Sequence, residues 1–194
     1  HVAVRVPAHP LLRQLLNLLD FPLAAPSANP FGFISPTTAA HVAQQLGHKI
    51  PYILDGGPCT VGLESTIVSF AGKKPEILRK GGLSPEAIAR VTGPLQVRQH
   101  SSSRPDAPGM LLKHYAPRVP LRLGNLSQML RQENGKNVGA ISFSKKYAEV
   151  AEGLMFVLSP EEDMNKAARN LFAFLRRLDE LHPDIILAEP VPEK

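Results

Sequence analysis

Apolar positions change period along the chain, and the changes mark its elements. Val2–Val6 alternates in the period-2 manner of a short strand. From Pro10 to Leu19 the leucines recur at helical spacing, and Asp20-Phe21-Pro22 stops that helix. Pro22–Pro26 reads as a short buried strand running into the loop Ser27-Ala28-Asn29-Pro30-Phe31-Gly32. Ser35-Pro36 has the form of a helix start, with Ser as N-cap and Pro in the first helical position. The helix runs to about Leu46 and is closed by Gly47. Tyr52–Leu54 reads as a strand ending in the turn Asp55-Gly56-Gly57-Pro58. Thr66–Phe70 and Glu76–Leu78 predict a strand pair around Gly72-Lys73-Lys74, and Ser84-Pro85 starts a helix reaching about Val91.

Residues 99–109 are polar, rich in Pro, Gly and Ser, and without period, so they read as a linker. The pattern then restarts. Strands at Leu121–Leu123, Val138–Phe143, Met155–Leu158 and Ile185–Ala188 alternate with helices near Leu126–Gln132, Lys145–Ala151 and Glu161–Leu181. Ser159-Pro160 starts the last helix, with Glu162 completing a capping box. Its stripe of Met164, Ala168, Leu171, Leu175 and Leu178 reads as a core face rather than a cofactor surface. Strand–helix alternation predicts an α/β fold whose second part is a small Rossmann-like parallel sheet. No GxGxxG turn is present, which argues against a dinucleotide.

Composition narrows the class. At 194 residues and 43% hydrophobic, the chain can bury a core as one large or two small domains. No apolar run approaches the roughly 20 residues of a membrane span, and no charged-then-apolar leader opens the sequence. A single cysteine, Cys59, excludes an internal disulfide framework and leads us to expect a cytoplasmic protein. The net charge of +5 is unevenly placed. Residues 71–118 hold 9 basic and 3 acidic side chains, whereas residues 120–194 hold 10 and 11. Such a stretch suits an anionic partner, a nucleotide or RNA, and equally describes a solvated basic surface.

Familiar catalytic devices are missing: no GxxxxGK[ST] loop, no HExxH and no GxSxG. His41 and His48 lie seven apart without a carboxylate beside them, Cys59 has no base partner, and His182 before Pro183 suits a helix end. Three places carry more. Ala25-Pro26-Ser27-Ala28-Asn29 followed by Ser35-Pro36 reads either as an Asn-Pro turn with an ordinary cap or as a loop offering donors to phosphate or carboxylate oxygens. Glu64-Ser65-Thr66 before an apolar strand is routine strand-start chemistry or the mouth of a small-ligand site. Arg79-Lys80-Gly81-Gly82 is a surface pair or a fork for a phosphate. After the linker, Tyr115 sits in an apolar segment suited to closing over a bound base.

Five motifs in order resemble the threonylcarbamoyl-AMP synthase family in its two-domain form. They are Arg5-Val6-Pro7 with His9-Pro10; Ala25–Asn29 with Ser35-Pro36-Thr37; Glu64–Val68; Leu78–Gly82; and Pro108-Gly109-Met110 with His114-Tyr115-Ala116-Pro117. The resemblance implies a partial YrdC-like twisted open α/β sheet domain over 1–98, a linker over 99–119 and a Rossmann-like domain over 120–194. It implies that L-threonine, bicarbonate or CO2, and ATP are joined into threonylcarbamoyl-AMP with release of pyrophosphate. A tRNA-modifying transferase would take the product to the adenosine beside the anticodon. By similarity Arg5, Ala25 and Ser65 would contact threonine, and Ser27, Asn29, Ser35, Arg79 and Tyr115 would hold ATP. No tightly bound cofactor or protein-held metal is implied; Mg2+ is expected with the ATP phosphates.

Two departures stand against this pattern. The family's Lys-x-Arg signature is absent, and the chain reads as truncated at both ends, so these 194 residues alone are expected to be inactive. His1 stands where the family has a small polar residue and carries no role. Two other readings remain. A non-catalytic RNA-binding module would show steeply salt-dependent affinity. A carbamoyl-transfer relative in hydrogenase maturation is the other, against which the linker and Rossmann-like tail argue.

Overall fold

The structure, a computed structural model, describes residues 2–98 and 116–192. It contains two sheets. The first joins β1 (Ile67–Ser69), β2 (Glu76–Arg79) and β3 (Gln96–Val97), with β1 antiparallel and β3 parallel to β2. Around it lie α1 (Pro10–Asn17), α2 (Ala39–Leu46) and α3 (Pro85–Thr92). The expected hairpin is present, and α3 starts as expected, the Ser84 hydroxyl accepting from Ala87 N–H at 3.2 Å.

The second sheet is wholly parallel. It holds β4 (Leu121–Leu123), β5 (Val138–Ser142), β6 (Met155–Val157) and β7 (Ile185–Ala188) in the order β4-β7-β5-β6. Helices α4 (Leu126–Gln132) and α5 (Met164–Leu181) form two of its crossovers. This is the Rossmann-like arrangement expected from the sequence. Side-chain alternation divides the core between its two faces. Ile185, Leu187 and Ala140 pack with Leu126 and Met129 of α4, whereas Ile186, Ala188 and Ile141 pack with Leu175 and Leu178 of α5. The α5 face also takes in Ile34 from the first unit, so one hydrophobic cluster crosses between the sheets.

Several expected elements are absent, each for a local reason. Val2–Val6, Pro22–Pro26 and Tyr52–Leu54 are irregular and exposed, with Val4 at 82% and Tyr52 at 88%. A strand exists only as part of a ladder, and among the described residues none pairs with these. The second helix begins at Ala39 instead of Pro36, and its cap is Thr38, whose hydroxyl accepts from His41 N–H. The Ser35 hydroxyl is directed instead at the Glu64 carboxylate, to which it donates. The last helix likewise starts late. Glu162 adopts a left-handed φ of 61° and accepts from the Ser144 hydroxyl, so Asp163 caps α5 through Asn165 and Lys166 N–H. Lys145–Ala151 forms turns instead of a helix. The Ser142 hydroxyl donates to the Lys145 carbonyl, and Tyr147 Oη reaches Glu189 at 3.0 Å. One local and one long-range bond together outweigh the helical pattern.

Asp179 fastens the chain where it enters the second unit. Its carboxylate accepts from Arg118 N–H at 2.6 Å, Val119 N–H at 3.0 Å and Arg118 Nε at 2.9 Å. Burial alone would raise its pKa, but these bonds prevail and hold it below the ordinary carboxylate value. A depressed acid stabilises the fold above its unfolded value of 3.8 and loses that contribution as pH falls through the lower folded value. Asp179→Ala is therefore expected to cost about 3 kcal/mol at pH 7. Urea titrations at successively lower pH should show the gap to wild type closing only below the carboxylate range; a pH-independent gap would contradict this account.

Candidate functional site

The site is assembled from segments that the hairpin brings side by side. In the β1–β2 ladder Ile67 opposes Arg79, so residues 64–66 before β1 lie against residues 80–83 after β2. The Arg79 guanidinium lies along Ser65, with Nε and Nη2 donating to its carbonyl at 3.1 and 2.8 Å and Nη2 reaching its hydroxyl at 3.4 Å. Gly82 N–H donates to the Glu64 carbonyl at 3.0 Å, and the Thr66 hydroxyl donates to the Leu83 carbonyl at 2.6 Å. Gly81 is needed for this approach. A Cβ there would fall 2.3 Å from the Glu64 oxygen and 2.4 Å from the Thr66 nitrogen. Two separate sequence motifs thus become one interlocked cluster.

Ser35 joins that cluster from a third direction. It is 9% exposed, and its hydroxyl donates to the Glu64 carboxylate. Asn29 closes the preceding loop, its Nδ2 donating to the carbonyls of Pro30 at 2.9 Å and Phe33 at 3.1 Å. Ala116 enters beside that loop, donating to the Gly32 carbonyl at 3.0 Å and bridging in parallel with Phe33. Arg5, Ala25 and Ser27 lie on exposed irregular backbone, and the bonds among the described residues do not join them to the cluster. Tyr115 and most of the linker lie outside the described residues.

Neighbouring contacts brace the same loop. Thr37 is buried, its N–H donates to His41 Nδ1 at 3.2 Å, and its carbonyl accepts from Cys59 N–H at 2.9 Å. Burial first, and then the positive Arg176, hold the His41 imidazole below its ordinary value of 6.5, with Glu180 opposing. His41 is thus neutral at pH 7 and free to accept at Nδ1. Cys59 sits on an exposed turn. His9 packs on Gly56, where an added Cβ would fall 2.7 Å from the ring. His182 caps α5 in the left-handed region, as a histidine at a helix end before proline can.

The second unit supplies residues that the sequence did not single out. Arg176 of α5 donates through Nε to the Ser35 carbonyl at 3.1 Å, and through Nη2 to the Ile34 carbonyl and to Gln45 Oε1 at 2.8 Å. Arg169 Nε donates to the Thr60 carbonyl at 2.8 Å. Glu64, the acceptor for Ser35, was also unassigned. The available signal was position: Arg176 falls four residues after Phe172 and three before Asp179, on the buried face of α5. Chemically, the cluster joins two serine hydroxyls, a carboxylate and a guanidinium in one bonded network.

An irregular α/β unit carrying this polar cluster, braced by a small Rossmann-like unit, makes a two-domain α/β architecture. A family model described as "Telomere recombination" matches residues 1–81, and one described as "Threonylcarbamoyl-AMP synthase, C-terminal domain" matches residues 83–194. The chain is 38% identical to a threonylcarbamoyl-AMP synthase of Bacillus subtilis over 203 residues, covering 99% of this chain and 58% of the relative. For that of Schizosaccharomyces pombe the identity is 37% over 218 residues, covering 99% and 53%. A crystal structure of Sua5 from Pyrococcus abyssi complexed with L-threonine matches with a TM-score of 0.86 at 38% identity, covering 100% of this chain and 59% of that one. The chain belongs to the threonylcarbamoyl-AMP synthase family, in its two-domain form, and has the YrdC-like and Rossmann-like folds expected of it. It spans a little under three-fifths of the length of these relatives.

Proposed function

We propose that this protein acts as an L-threonylcarbamoyladenylate synthase, with residues 1–98 as part of the catalytic domain, 99–119 as connector and 120–194 as the second domain. The amine of threonine adds to CO2 with loss of a proton, or condenses with bicarbonate with loss of water, to give N-carboxythreonine. Its new carboxylate attacks the α-phosphate of ATP, the bond to the β-phosphate breaks, and pyrophosphate leaves. The protein's task is to position two anions and neutralise the charge that grows between them. Arg5, Ala25 and Ser65 would face threonine, with Arg5 near its carboxylate. Ser27, Ser35, Arg79 and Tyr115 would face ATP, and Asn29 holds the loop that carries Ser27 and Ser35. Mg2+ arrives with the nucleotide as part of the substrate. The product would pass to a tRNA-modifying transferase in the cytoplasm, and the basic stretch around Arg79 suits the charge of the nucleotide.

The observation that carries this reading is the bonded series Ser35–Glu64–Ser65–Arg79, which joins a residue expected at threonine to two expected at ATP. The Pyrococcus abyssi relative, named as a complex with L-threonine, supports the amino-acid half. In the full-length protein, pyrophosphate release should require threonine, bicarbonate and ATP together. Arg79→Ala should weaken ATP binding 10- to 100-fold, the loss of charge-assisted bonds worth about 1.5–3 kcal/mol. Tyr115→Phe should weaken it by roughly fivefold, as befits one neutral hydrogen bond. Unchanged ATP affinity in both variants would refute the assignment. Salt-sensitive RNA binding indifferent to ATP would favour the RNA-binding reading instead.

A further inference from the structure

We infer that Arg176, carried on the second unit, is a positioning residue for the nucleotide loop and sets the direction of the Ser35 side chain. The inference rests on the proposed function and names a residue beyond those it assigns. Arg176 is only 5% exposed, yet its recorded hydrogen bonds go to neutral acceptors of the first unit. Among the described residues no carboxylate lies within ion-pair distance of it. Asp179, one turn further along α5, is committed to Arg118 and Val119, and Glu180 pairs with Arg177 at 3.4 Å.

A buried guanidinium is a costly way to glue two units together, because apolar side chains of similar volume do so without desolvating a charge. Ile34 already supplies such apolar contact, seated in the α5 cluster. What an apolar residue lacks is direction. Nε and Nη2 hold the carbonyls of residues 34 and 35, which belong to the two peptide planes flanking the Ser35 Cα. With both planes held, the Cα–Cβ bond of Ser35 has one orientation, and its hydroxyl meets Glu64. Gln45 of α2 completes the fork from the helix that the loop leads into. The neutral His41 beside it adds no opposing charge.

The test uses the full-length protein, with steady-state kinetics in ATP and in threonine for Arg176→Met, Arg176→Lys, Gln45→Ala, Ser35→Ala and the double variant Arg176→Met/Ser35→Ala. Arg176→Met should raise KM for ATP about tenfold and leave KM for threonine within about twofold. Arg176→Lys, which keeps a charge but has no fork, should recover part of the loss. Should Arg176→Met fail to fold, Gln45→Ala should still shift KM for ATP about twofold in the same sense. The double variant should be no worse than Ser35→Ala alone, since the arginine acts through the serine. Additive losses, equal rises in both KM values, or a lowered melting temperature with unchanged KM for ATP would overturn the inference. A wild-type protein without threonine-dependent pyrophosphate release would instead overturn the functional reading, and this inference with it.

Discussion

Gly81→Ala is expected to abolish most activity in the full-length protein, lowering kcat/KM at least a hundredfold, while the second unit stays folded. The added methyl has no flexible side chain to push aside. Its neighbours at 2.3–2.4 Å are main-chain atoms of Glu64, Ser65 and Thr66. Room can be made only by separating the strand-entry segment from the residues after β2, which also parts Gly82 N–H from Glu64 and pulls Arg79 off Ser65. A hundredfold loss corresponds to about 2.7 kcal/mol of transition-state stabilisation. Overpacking of this kind typically costs 1–3 kcal/mol of stability as well. Kinetics should be read beside a denaturation curve; wild-type kcat/KM in the variant would show that the cluster is not the reaction site.

Gly62→Ala should produce the largest loss of stability, roughly 3–5 kcal/mol, and should uncouple the two units. Gly62 has a φ of +78°, a region that costs a residue bearing Cβ about 1–2 kcal/mol. Its Cβ would also lie 2.4 Å from the Arg169 carbonyl oxygen and 2.5 Å from the Arg169 Cα, on the backbone of α5. These two costs can be separated. Asn tolerates the left-handed region but still carries a Cβ, so Gly62→Asn should rescue little if the clash dominates. Scanning calorimetry should resolve two transitions in either variant where wild type shows one. A single transition at the wild-type temperature would contradict the predicted clash.

Much of the second unit was legible because its strands are buried on both faces. Ile185–Ala188 and Val138–Ser142 are apolar runs bounded by turn residues, and the structure places both at the centre of the parallel sheet. The first unit was less so. Val2–Val6 has the composition of a strand, but composition cannot supply a partner, and the segment stays irregular. Ser-Pro proved a reliable helix start only at Ser84, whose hydroxyl accepts from Ala87 N–H. Ser35 and Ser159 carry the same dipeptide but have other commitments, Ser35 to Glu64 and Ser159 to Asp163 N–H. Cap chemistry reads locally, and distant partners redirect it. The same limit applies to the site. Arg79, Ser65 and Ser35 could be named from motif order, but their link through Glu64 depends on how the hairpin folds back. Arg176 lies 141 residues from Ser35, beyond the reach of any spacing rule.

The order β4-β7-β5-β6 has a consequence for how the chain is made. Strand β7 follows β4, β5 and β6 in the chain yet is inserted between β4 and β5, and among the described residues β4 pairs with no other strand. Until Ile185–Ala188 emerges, β5 and β6 can dock on each other, but β4 must wait with one slot open. The β4–β7–β5 part of the sheet therefore closes only after α5 and β7 have been synthesised, through contacts of long sequence separation that form slowly. During that interval the apolar faces of Ile141 and Leu178 have no Ile186 to meet, and it is such transiently exposed surface that makes slowly closing parallel sheets prone to aggregate.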